Sequence, residues 1–194
     1  MKALILAGGE NKRLAVTKGF LKINGRRIIE SNVELLKGIF DCVIISTNNP
    51  ETYFYIGIPM IGDILKYRGP LTGILSALIT LETPELFVTA CDMPFIKPEL
   101  VRHIVDRWVD NKEAVIPIFD SKPQPLLGIY SKSLARKMEQ SIKEGIRGLR
   151  DFLKKIDTLY ISEKEVELID PEGKSFVNIN TMEDYEKEQL AVSC

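Results

Sequence analysis

The chain has 194 residues, of which 45% are hydrophobic and 27% are charged, and its formal net charge is −1. A chain of this length can bury roughly 70% of the surface that its unfolded form exposes, so we expect one folded domain over residues 1–194. The near-neutral charge disfavours a nucleic-acid partner held mainly through its phosphates. We therefore expect a small-molecule substrate.

The cysteines and the first residues favour a cytoplasmic protein. Cys42, Cys91 and Cys194 have neither paired spacing nor a C-x-x-C arrangement, which is typical of thiols in a reducing compartment. Between Lys2 and Gly8 lie only five apolar residues, fewer than a signal peptide or a membrane span requires. We expect no association with a membrane.

The first half of the chain alternates between patterns typical of strands and of helices. An apolar run that stops at Gly8-Gly9 predicts a strand buried on both faces of a parallel sheet. Later apolar runs predict further strands, and Pro98 is placed to begin a helix. The predicted strands cover residues 3–7, 41–46, 58–61 and 86–90, and the predicted helices cover 28–40, 71–81 and 98–109.

The second half continues the alternation. Ser131 is placed to cap a helix that reaches Glu144, where Gly145 would end it, and Thr181 is placed to cap the last helix. This order predicts an α/β fold with a doubly wound, mostly parallel sheet and helices on both faces. The remaining predicted strands cover 114–118, 124–130, 158–161 and 175–179, and a further helix covers 146–155.

Ligands of open α/β sheets bind outside the carboxyl ends of the strands, so the turns after the first, second and fourth strands are the candidate sites. The first turn combines adjacent glycines with basic residues. Glycine lets the main chain approach a phosphate, and basic side chains neutralise its charge. The alternative is an ordinary turn with solvated lysines. The residues concerned are Gly8, Gly9, Asn11, Lys12, Arg13 and Lys18.

The spacing of this turn excludes two common phosphate loops. No G-K-[ST] follows at the distance of a Walker loop, and the adjacent glycines do not form G-x-G-x-x-G. A dinucleotide-dependent oxidoreductase is therefore disfavoured.

Asp92 follows the fourth predicted strand and is the candidate metal ligand. Mg²⁺ prefers oxygen ligands and is commonly held by one or two carboxylates together with substrate phosphates. The alternative is that Asp92 caps a turn before Pro94. The lone histidine, His103, lies among apolar residues of a predicted helix and is expected to be structural. Zinc catalysis and histidine-based acid/base chemistry therefore lack their usual residues.

Several segments carry a resemblance to a known family. Leu6-Ala-Gly-Gly-Glu-Asn-Lys-Arg13 resembles the N-terminal signature of nucleotide-sugar and related nucleotidyltransferases. Together with five further segments, in order and over nearly the whole chain, it resembles the molybdenum cofactor guanylyltransferase family. Those segments are Lys18-Gly-Phe-Leu-Lys-Ile-Asn-Gly25, Gly69-Pro-Leu-Thr-Gly73, Cys91-Asp-Met-Pro-Phe95, Gln124-Pro-Leu-Leu-Gly128 and Phe176-Val-Asn-Ile-Asn-Thr181.

The resemblance implies a Rossmann-like nucleotidyltransferase fold and a specific reaction. GMP would pass from GTP to the terminal phosphate of molybdenum-molybdopterin, with release of pyrophosphate and formation of the guanine dinucleotide cofactor. The implied cofactor is Mg²⁺. The implied partners are GTP, molybdenum-molybdopterin, and a molybdoenzyme or a cofactor-delivery protein as recipient.

The resemblance also assigns roles to individual residues. The first turn would hold the triphosphate through Leu6, Ala7, Gly8 and Gly9, while Arg13 and Lys18 offset phosphate charge. Asp92 would hold Mg²⁺. Asp63 would bind the nucleotide. The family also has a nucleotide-binding asparagine after the second strand, where this chain offers Ser46, Thr47, Asn48 and Asn49; Ser46 is the aligned residue and Asn48 is the favoured candidate. Asn178 and Asn180 would orient the acceptor or complete the metal shell, or would belong to an Asn-rich turn that caps a helix.

Two alternatives stay open at this point. Arg13 is followed by Leu14-Ala15, where the family usually has Met-Gly, so a catalytically silent nucleotide-binding module is one alternative. The other is a nucleotidyltransferase with a different nucleotide or acceptor, such as a molybdenum cofactor cytidylyltransferase or a sugar-phosphate enzyme.

Overall fold

The structure, a computed structural model, describes residues 1–8 and 18–192; the side chains of Lys18, Ala191 and Val192 lie outside the description. No helix in these ranges is both long enough and apolar enough to cross a membrane. The strands are β1 Lys2–Leu6, β2 Lys22–Ile23, β3 Arg26–Arg27, β4 Val43–Ser46, β5 Met60–Ile61, β6 Glu85–Ala90, β7 Ala114–Phe119, β8 Lys122–Pro123, β9 Gly128–Ser131 and β10 Thr158–Ile161.

Helices lie between most of these strands along the chain. Short 3₁₀ turns at Lys18–Phe20, Phe54–Ile56, Lys132–Leu134 and Lys174–Phe176 accompany them. The helices are α1 Ile28–Lys37, α2 Pro50–Tyr53, α3 Pro70–Thr80, α4 Pro98–Asp106, α5 Ala135–Lys143, α6 Leu149–Leu153, α7 Glu163–Glu167 and α8 Met182–Val192.

The main sheet has the order β10-β7-β9-β6-β1-β4-β5, and β8 pairs with the end of β7. Strands β6, β1, β4 and β5 are adjacent and parallel, and β10 is parallel to β7. Strand β9 is antiparallel to both of its neighbours. The predicted mostly parallel sheet is confirmed, and its four adjacent parallel strands bring their carboxyl ends to one edge.

Alternate residues of the central strands feed two cores, one on each face of the sheet. In β1, Ala3 and Ile5 face the core that includes Ile29 of α1 and Leu100 of α4. Leu4 faces the opposite core, which is built mainly from α3, α5 and α6. Both faces are therefore covered by helices, which is why the central strands read as continuous apolar runs.

The predicted strand over residues 175–179 is wrong. Residues 174–176 form a 3₁₀ turn, because the Ser175 N–H donates to the buried carboxylate of Asp170 at 2.7 Å and the Val177 N–H donates to the Lys174 carbonyl at 3.1 Å. Beyond the turn, the Ile179 N–H donates to the Asp92 carbonyl at 2.9 Å. The segment is thus held by the turn after β6 and not by a ladder.

Other boundaries differ by a few residues. The strand predicted over 124–130 begins only at Gly128, since 124–127 form a turn in which the Leu127 N–H donates to the Gln124 carbonyl at 3.1 Å. The helix predicted over 146–155 is shortened to α6. Ser131 acts as the predicted N-cap, accepting from the Ser133 N–H at 3.2 Å before a 3₁₀ turn leads into α5.

Candidate functional site

A crevice of about 230 Å³ opens at the carboxyl edge of the parallel strands. Strands β6, β1, β4 and β5 end side by side there, and each contributes its last residue or the turn that follows it. The crevice therefore brings together residues distant in sequence, as the strand-end rule predicts. Its lining is Leu6, Ala7, Gly8, Ser46, Tyr53, Asp63, Gly69, Pro70, Gly73, Ala90, Cys91, Asp92 and Leu126.

The first turn enters the crevice between two neighbouring strands. The Ala7 N–H donates to the Ser46 carbonyl at 2.8 Å, and the Cys91 N–H donates to the Leu6 carbonyl at 3.0 Å. These bonds fix the main chain as far as Ala7, and Gly8 then stands exposed, with no heavy atom of the described residues within 4 Å of where a Cβ would lie. The turn thus offers main chain that a ligand can approach closely.

The basic residues expected at this turn are only partly described. The basic residue Arg13 and the side chain of Lys18 lie outside the described residues. The same is true of Gly9 and of the Leu14-Ala15 pair. The main chain of Lys18 begins a 3₁₀ turn that ends at Phe20. Their roles stay predictions.

Asp92 lies two residues beyond the end of β6, partly exposed, on the wall of the crevice that also contains Gly8. Its main chain is held by the Ile179 bond, and Asn32 of α1 donates through Nδ2 to the Ala90 carbonyl at 3.3 Å. Within residues 1–8 and 18–192, no three His, Cys, Asp or Glu side chains form a cluster that could hold a metal ion. The carboxylate oxygens of Asp92 suit Mg²⁺ in the mode where substrate phosphates supply further ligands.

Asp63 follows β5, which lies at the opposite end of the four parallel strands from β6, and it is held by Asn48. Asn48 Nδ2 donates to Asp63 Oδ2 at 2.7 Å, and the Asp63 N–H donates to Asn48 Oδ1 at 2.8 Å. Burial raises the pKa of the Asp63 carboxyl above its usual value, although the Asn48 hydrogen bond and the charge of Arg68 act in the opposite direction. Asn48 itself does not line the crevice, so in this structure it orients the carboxylate that does.

The Gly69–Gly73 segment adds the first turn of α3 to the crevice. Pro70 is the first residue of the helix, and it lines the crevice together with Gly69 and Gly73. A Cβ on Gly73 would lie 2.9 Å from Leu6 Cδ2 and 2.9 Å from Ser46 Oγ. Glycine at position 73 therefore allows α3 to approach β1 and β4 at the crevice.

Tyr53 is a lining residue that the sequence patterns did not single out. It is the last residue of α2, a four-residue helix after β4, and it is buried. The signal available in the sequence was Pro50, which is placed at the first position of that helix. A helix this short has no apolar periodicity that could show which face is buried.

A second cavity of about 290 Å³ adjoins the crevice and shares Pro70 and Leu126 with it. Its walls are mainly apolar, and the Oδ1 atom of Asn178 is buried without a hydrogen-bond partner among the described residues. Asn180 lines neither cavity, and its N–H donates to Asp184 at 2.9 Å. The remaining lining is Met93, Gln124, Pro125, Leu127, Gly148, Leu149, Arg150 and Phe176.

Two residues of interest in the sequence serve the fold. A Cβ on Gly128 would lie 2.6 Å from the Val115 carbonyl oxygen, so this glycine allows β9 to pack beside β7. His103 lies on α4 with its Nε2 atom 3.8 Å from the Glu165 carboxylate, and it lines neither cavity.

A glycine turn, two carboxylates and a helix N-terminus at the carboxyl edge of a parallel sheet define the class of α/β proteins that bind nucleotides. The family model described as "MobA-like NTP transferase domain" matches residues 3–159. The chain therefore belongs to the MobA-like NTP transferase family.

Relatives match over nearly the whole chain. One from Peptoclostridium acidaminophilum, named "Probable molybdenum cofactor guanylyltransferase", is 36% identical and covers 94% of this chain and 85% of its own. One from Desulfosudis oleivorans, named "Molybdenum cofactor guanylyltransferase", is 31% identical, with 97% and 94% covered. The crystal structure of molybdopterin-guanine dinucleotide biosynthesis protein A from Archaeoglobus fulgidus superposes with a TM-score of 0.84 at 28% identity, covering 100% and 99% of the two chains. The Rossmann-like nucleotidyltransferase fold is thereby confirmed.

Proposed function

We propose that this protein is a molybdenum cofactor guanylyltransferase that transfers GMP from GTP to the terminal phosphate of molybdenum-molybdopterin. The observation that carries the proposal is the pair of adjoining cavities, which share Pro70 and Leu126. Two ligands bound side by side, one in each cavity, would meet at this shared boundary. The names of the full-length relatives support the choice of substrates.

The crevice would hold GTP with its base towards Asp63 and its phosphates towards Gly8 and Asp92. Guanine presents two adjacent donors, its ring N–H and its amino group, and a carboxylate oriented by Asn48 can accept both. The exposed main chain at Gly8 suits the negative charge of the phosphates.

The phosphate end of the crevice needs positive charge from outside the described lining. Among the described lining residues the charged groups are Asp63 and Asp92, and both are acidic. We therefore assign charge neutralisation to Arg13 and Lys18 and metal binding to Asp92. When bound, Mg²⁺ would neutralise phosphate charge and so favour departure of pyrophosphate.

The transfer itself would need little covalent help from the protein. An oxygen of the acceptor phosphate forms a bond to the α-phosphorus of GTP, while the bond from that phosphorus to the bridging oxygen breaks and pyrophosphate leaves. The acceptor phosphate is already ionised near neutral pH, so no general base is required. The task of the chain's residues is to orient the two ligands and to offset their charge.

The second cavity is proposed as the acceptor site. Its apolar walls suit a flat ring system, and Asn178 in the same lining supplies a polar side chain. Arg150 lies in the same lining and can attract a phosphate.

The test is pyrophosphate release with GTP, CTP, ATP or UTP, each with Mg²⁺ and with or without molybdopterin generated in place. We expect release only with GTP and acceptor together. Acceptor-dependent release with CTP would instead indicate the sister cytidylyltransferase. Measurable GTP binding without release from any nucleotide would indicate a catalytically silent module.

A further inference from the structure

The crevice proposed to bind a triphosphate has few described groups that can donate to it. Its described charged side chains, Asp63 and Asp92, repel an anion. Among the lining residues that the structure describes, the hydroxyl groups belong to Ser46 and Tyr53. Ser46 ends β4 and its Oγ lies close to Gly73, on the side of the crevice next to Asp63. Tyr53 instead lies on the side of the crevice next to Cys91 and Asp92.

Tyr53 lies between the two segments that flank the proposed phosphate position. Its side chain lies beside Cys91, the residue before Asp92, and all three residues line the crevice. Its ring packs edge-on against Phe20, with the ring centres 5.7 Å apart. Phe20 ends the 3₁₀ turn that Lys18 begins. One side chain thus contacts both the turn of the proposed metal ligand and the turn of the proposed phosphate-binding lysine.

The surrounding cluster holds the Tyr53 ring in place. Phe20 also packs edge-on against Tyr55 at 5.8 Å, and the Arg27 guanidinium lies over both rings, 5.0 Å from the Phe20 centre and 4.8 Å from the Tyr55 centre. Tyr53 is 3% exposed. A ring fixed in this way directs its hydroxyl without a large further loss of side-chain entropy when a ligand binds.

The chemistry of the hydroxyl suits a donor to an anion. A tyrosine hydroxyl is protonated near neutral pH and can therefore donate a hydrogen bond. The polar group beside it in this structure is the sulfur of Cys91, which is a weak acceptor. An ionised phosphate oxygen is a much stronger one, so exchanging the sulfur for the phosphate is favourable.

We infer that Tyr53 is a phosphate-binding residue of the crevice, whose hydroxyl donates a hydrogen bond to the triphosphate of the bound nucleotide. The inference rests on the proposed function for the identity of that nucleotide. It adds an uncharged donor to the basic residues expected in the first loop.

The test compares Tyr53→Phe with Tyr55→Phe, which removes a hydroxyl from the same aromatic cluster but outside the crevice. Binding of GTP, inorganic tripolyphosphate and guanosine is measured by calorimetry in the presence of Mg²⁺. We expect Tyr53→Phe to weaken GTP and tripolyphosphate about tenfold, the typical effect of losing a hydrogen bond to a charged group, and to leave guanosine unchanged. Tyr55→Phe should bind all three as the wild type does.

The pattern across the three probes separates a binding role from a structural one. Loss of packing alone would weaken guanosine as well, and the melting temperature of each variant reports that loss directly. Equal tripolyphosphate affinity in Tyr53→Phe and wild type would overturn the inference. So would a wild type that binds no tripolyphosphate. Wild-type binding of GTP and tripolyphosphate without turnover would refute the proposed reaction while leaving the role of Tyr53 supported.

Discussion

Asp92 is the residue on which the proposed chemistry depends most. Its carboxylate lies on the crevice wall with Gly8, at the turn held by Ile179. We predict that Asp92→Asn lowers Mg²⁺-dependent pyrophosphate release by about 100-fold, or about 2.7 kcal/mol, because the amide lacks the negative charge with which the carboxylate would hold the metal. The melting temperature should change little, since the amide keeps the shape of the side chain.

Asp106→Asn is the matched control, because Asp106 is exposed at the end of α4. It should retain the wild-type rate. A wild-type rate in Asp92→Asn, or equal losses in both variants, would remove Asp92 from the metal site.

Gly73 allows the close approach of α3 to the crevice. A methyl group there meets Leu6 Cδ2 and Ser46 Oγ, both at 2.9 Å. Overpacking of this kind typically costs about 1–3 kcal/mol, and both neighbours would have to move within the nucleotide-binding wall. We predict that Gly73→Ala weakens GTP binding about tenfold or more. Calorimetry measures the GTP affinity, and thermal unfolding measures the loss of stability. The control is Gly38→Ala, at the end of α1, which should bind GTP as the wild type does.

Asp63 is predicted to favour ligand binding at the expense of stability. Because burial raises its pKa, ionised Asp63 lowers the free energy of unfolding at pH values above that pKa, and the cost disappears as the pH falls through it. Asp63→Asn keeps an oxygen for Asn48 but removes the charge. We predict that near neutral pH this variant is at least as stable as the wild type and binds GTP more weakly.

The pH dependence of binding supplies a further check on Asp63. GTP affinity should fall as the pH drops through the raised pKa, which lies above the ordinary aspartate value, because protonation leaves one oxygen fewer to accept from guanine. The variant should lack this titration. A marked loss of stability in Asp63→Asn, or an unchanged affinity for GTP, would contradict the account.

At the scale of elements, Asp170 connects the 3₁₀ turn at Lys174–Phe176 to Lys97 at the start of α4. Its buried carboxylate accepts from the Ser175 N–H at 2.7 Å and lies 3.2 Å from Lys97 Nζ. Burial raises its pKa, but the bonds from Ser175 and the charge of Lys97 outweigh this effect, so the pKa lies below its ordinary value. Asp170 therefore stabilises the fold above the unfolded-state pKa of about 3.9, and this contribution is lost as the pH falls through the lowered pKa.

We predict that Asp170→Ala lowers the free energy of unfolding near neutral pH by about 1–3 kcal/mol, because the buried Ser175 N–H loses its acceptor. The difference from the wild type should shrink in acid. Urea unfolding near neutral pH and in acid measures the difference in free energy of unfolding between the variant and the wild type. A difference that persists or grows in acid would be inconsistent with this role of Asp170.

Patterns along the chain predicted the elements whose signal is local. The strands near residues 3–7, 41–46 and 86–90 are apolar because helices cover both faces of the sheet. The sequence pattern could not show that β9 runs antiparallel between β7 and β6, because a strand buried on both faces has the same apolar pattern in either direction. The apolar character of residues 175–179 reflects Ile179, which packs against Leu21, Ile23 and Ile28 and not in a sheet.

Two missed elements had readable signals. Asn24-Gly25, between β2 and β3, is the dipeptide that favours a two-residue hairpin turn, and both residues have positive φ. Ser162 and Glu165 form a capping box at the start of α7, with the S-x-x-E spacing typical of that motif.

At the scale of the whole molecule, strand order explains which parts of the site were predictable. Gly8 and Asp92 each follow an apolar strand, so the sequence pattern predicted that both lie at the carboxyl edge of the sheet. Tyr53 enters the crevice from a four-residue helix, and the second cavity depends on the packing of Asn178 beside residues from four other segments. Contacts of this kind depend on tertiary packing, for which the sequence carries no periodic signal.

The proposed reaction depends on the two adjoining cavities, because ligands bound in them would meet at the boundary formed by Pro70 and Leu126. The most direct measurement follows a radiolabel from GTP into the cofactor, with molybdenum-molybdopterin as acceptor and Mg²⁺ present. We predict that label at the α-phosphate enters the cofactor together with guanosine, and that label at the γ-phosphate leaves in pyrophosphate. Label from the γ-phosphate in the cofactor, or hydrolysis of GTP with no label transferred, would contradict guanylyl transfer.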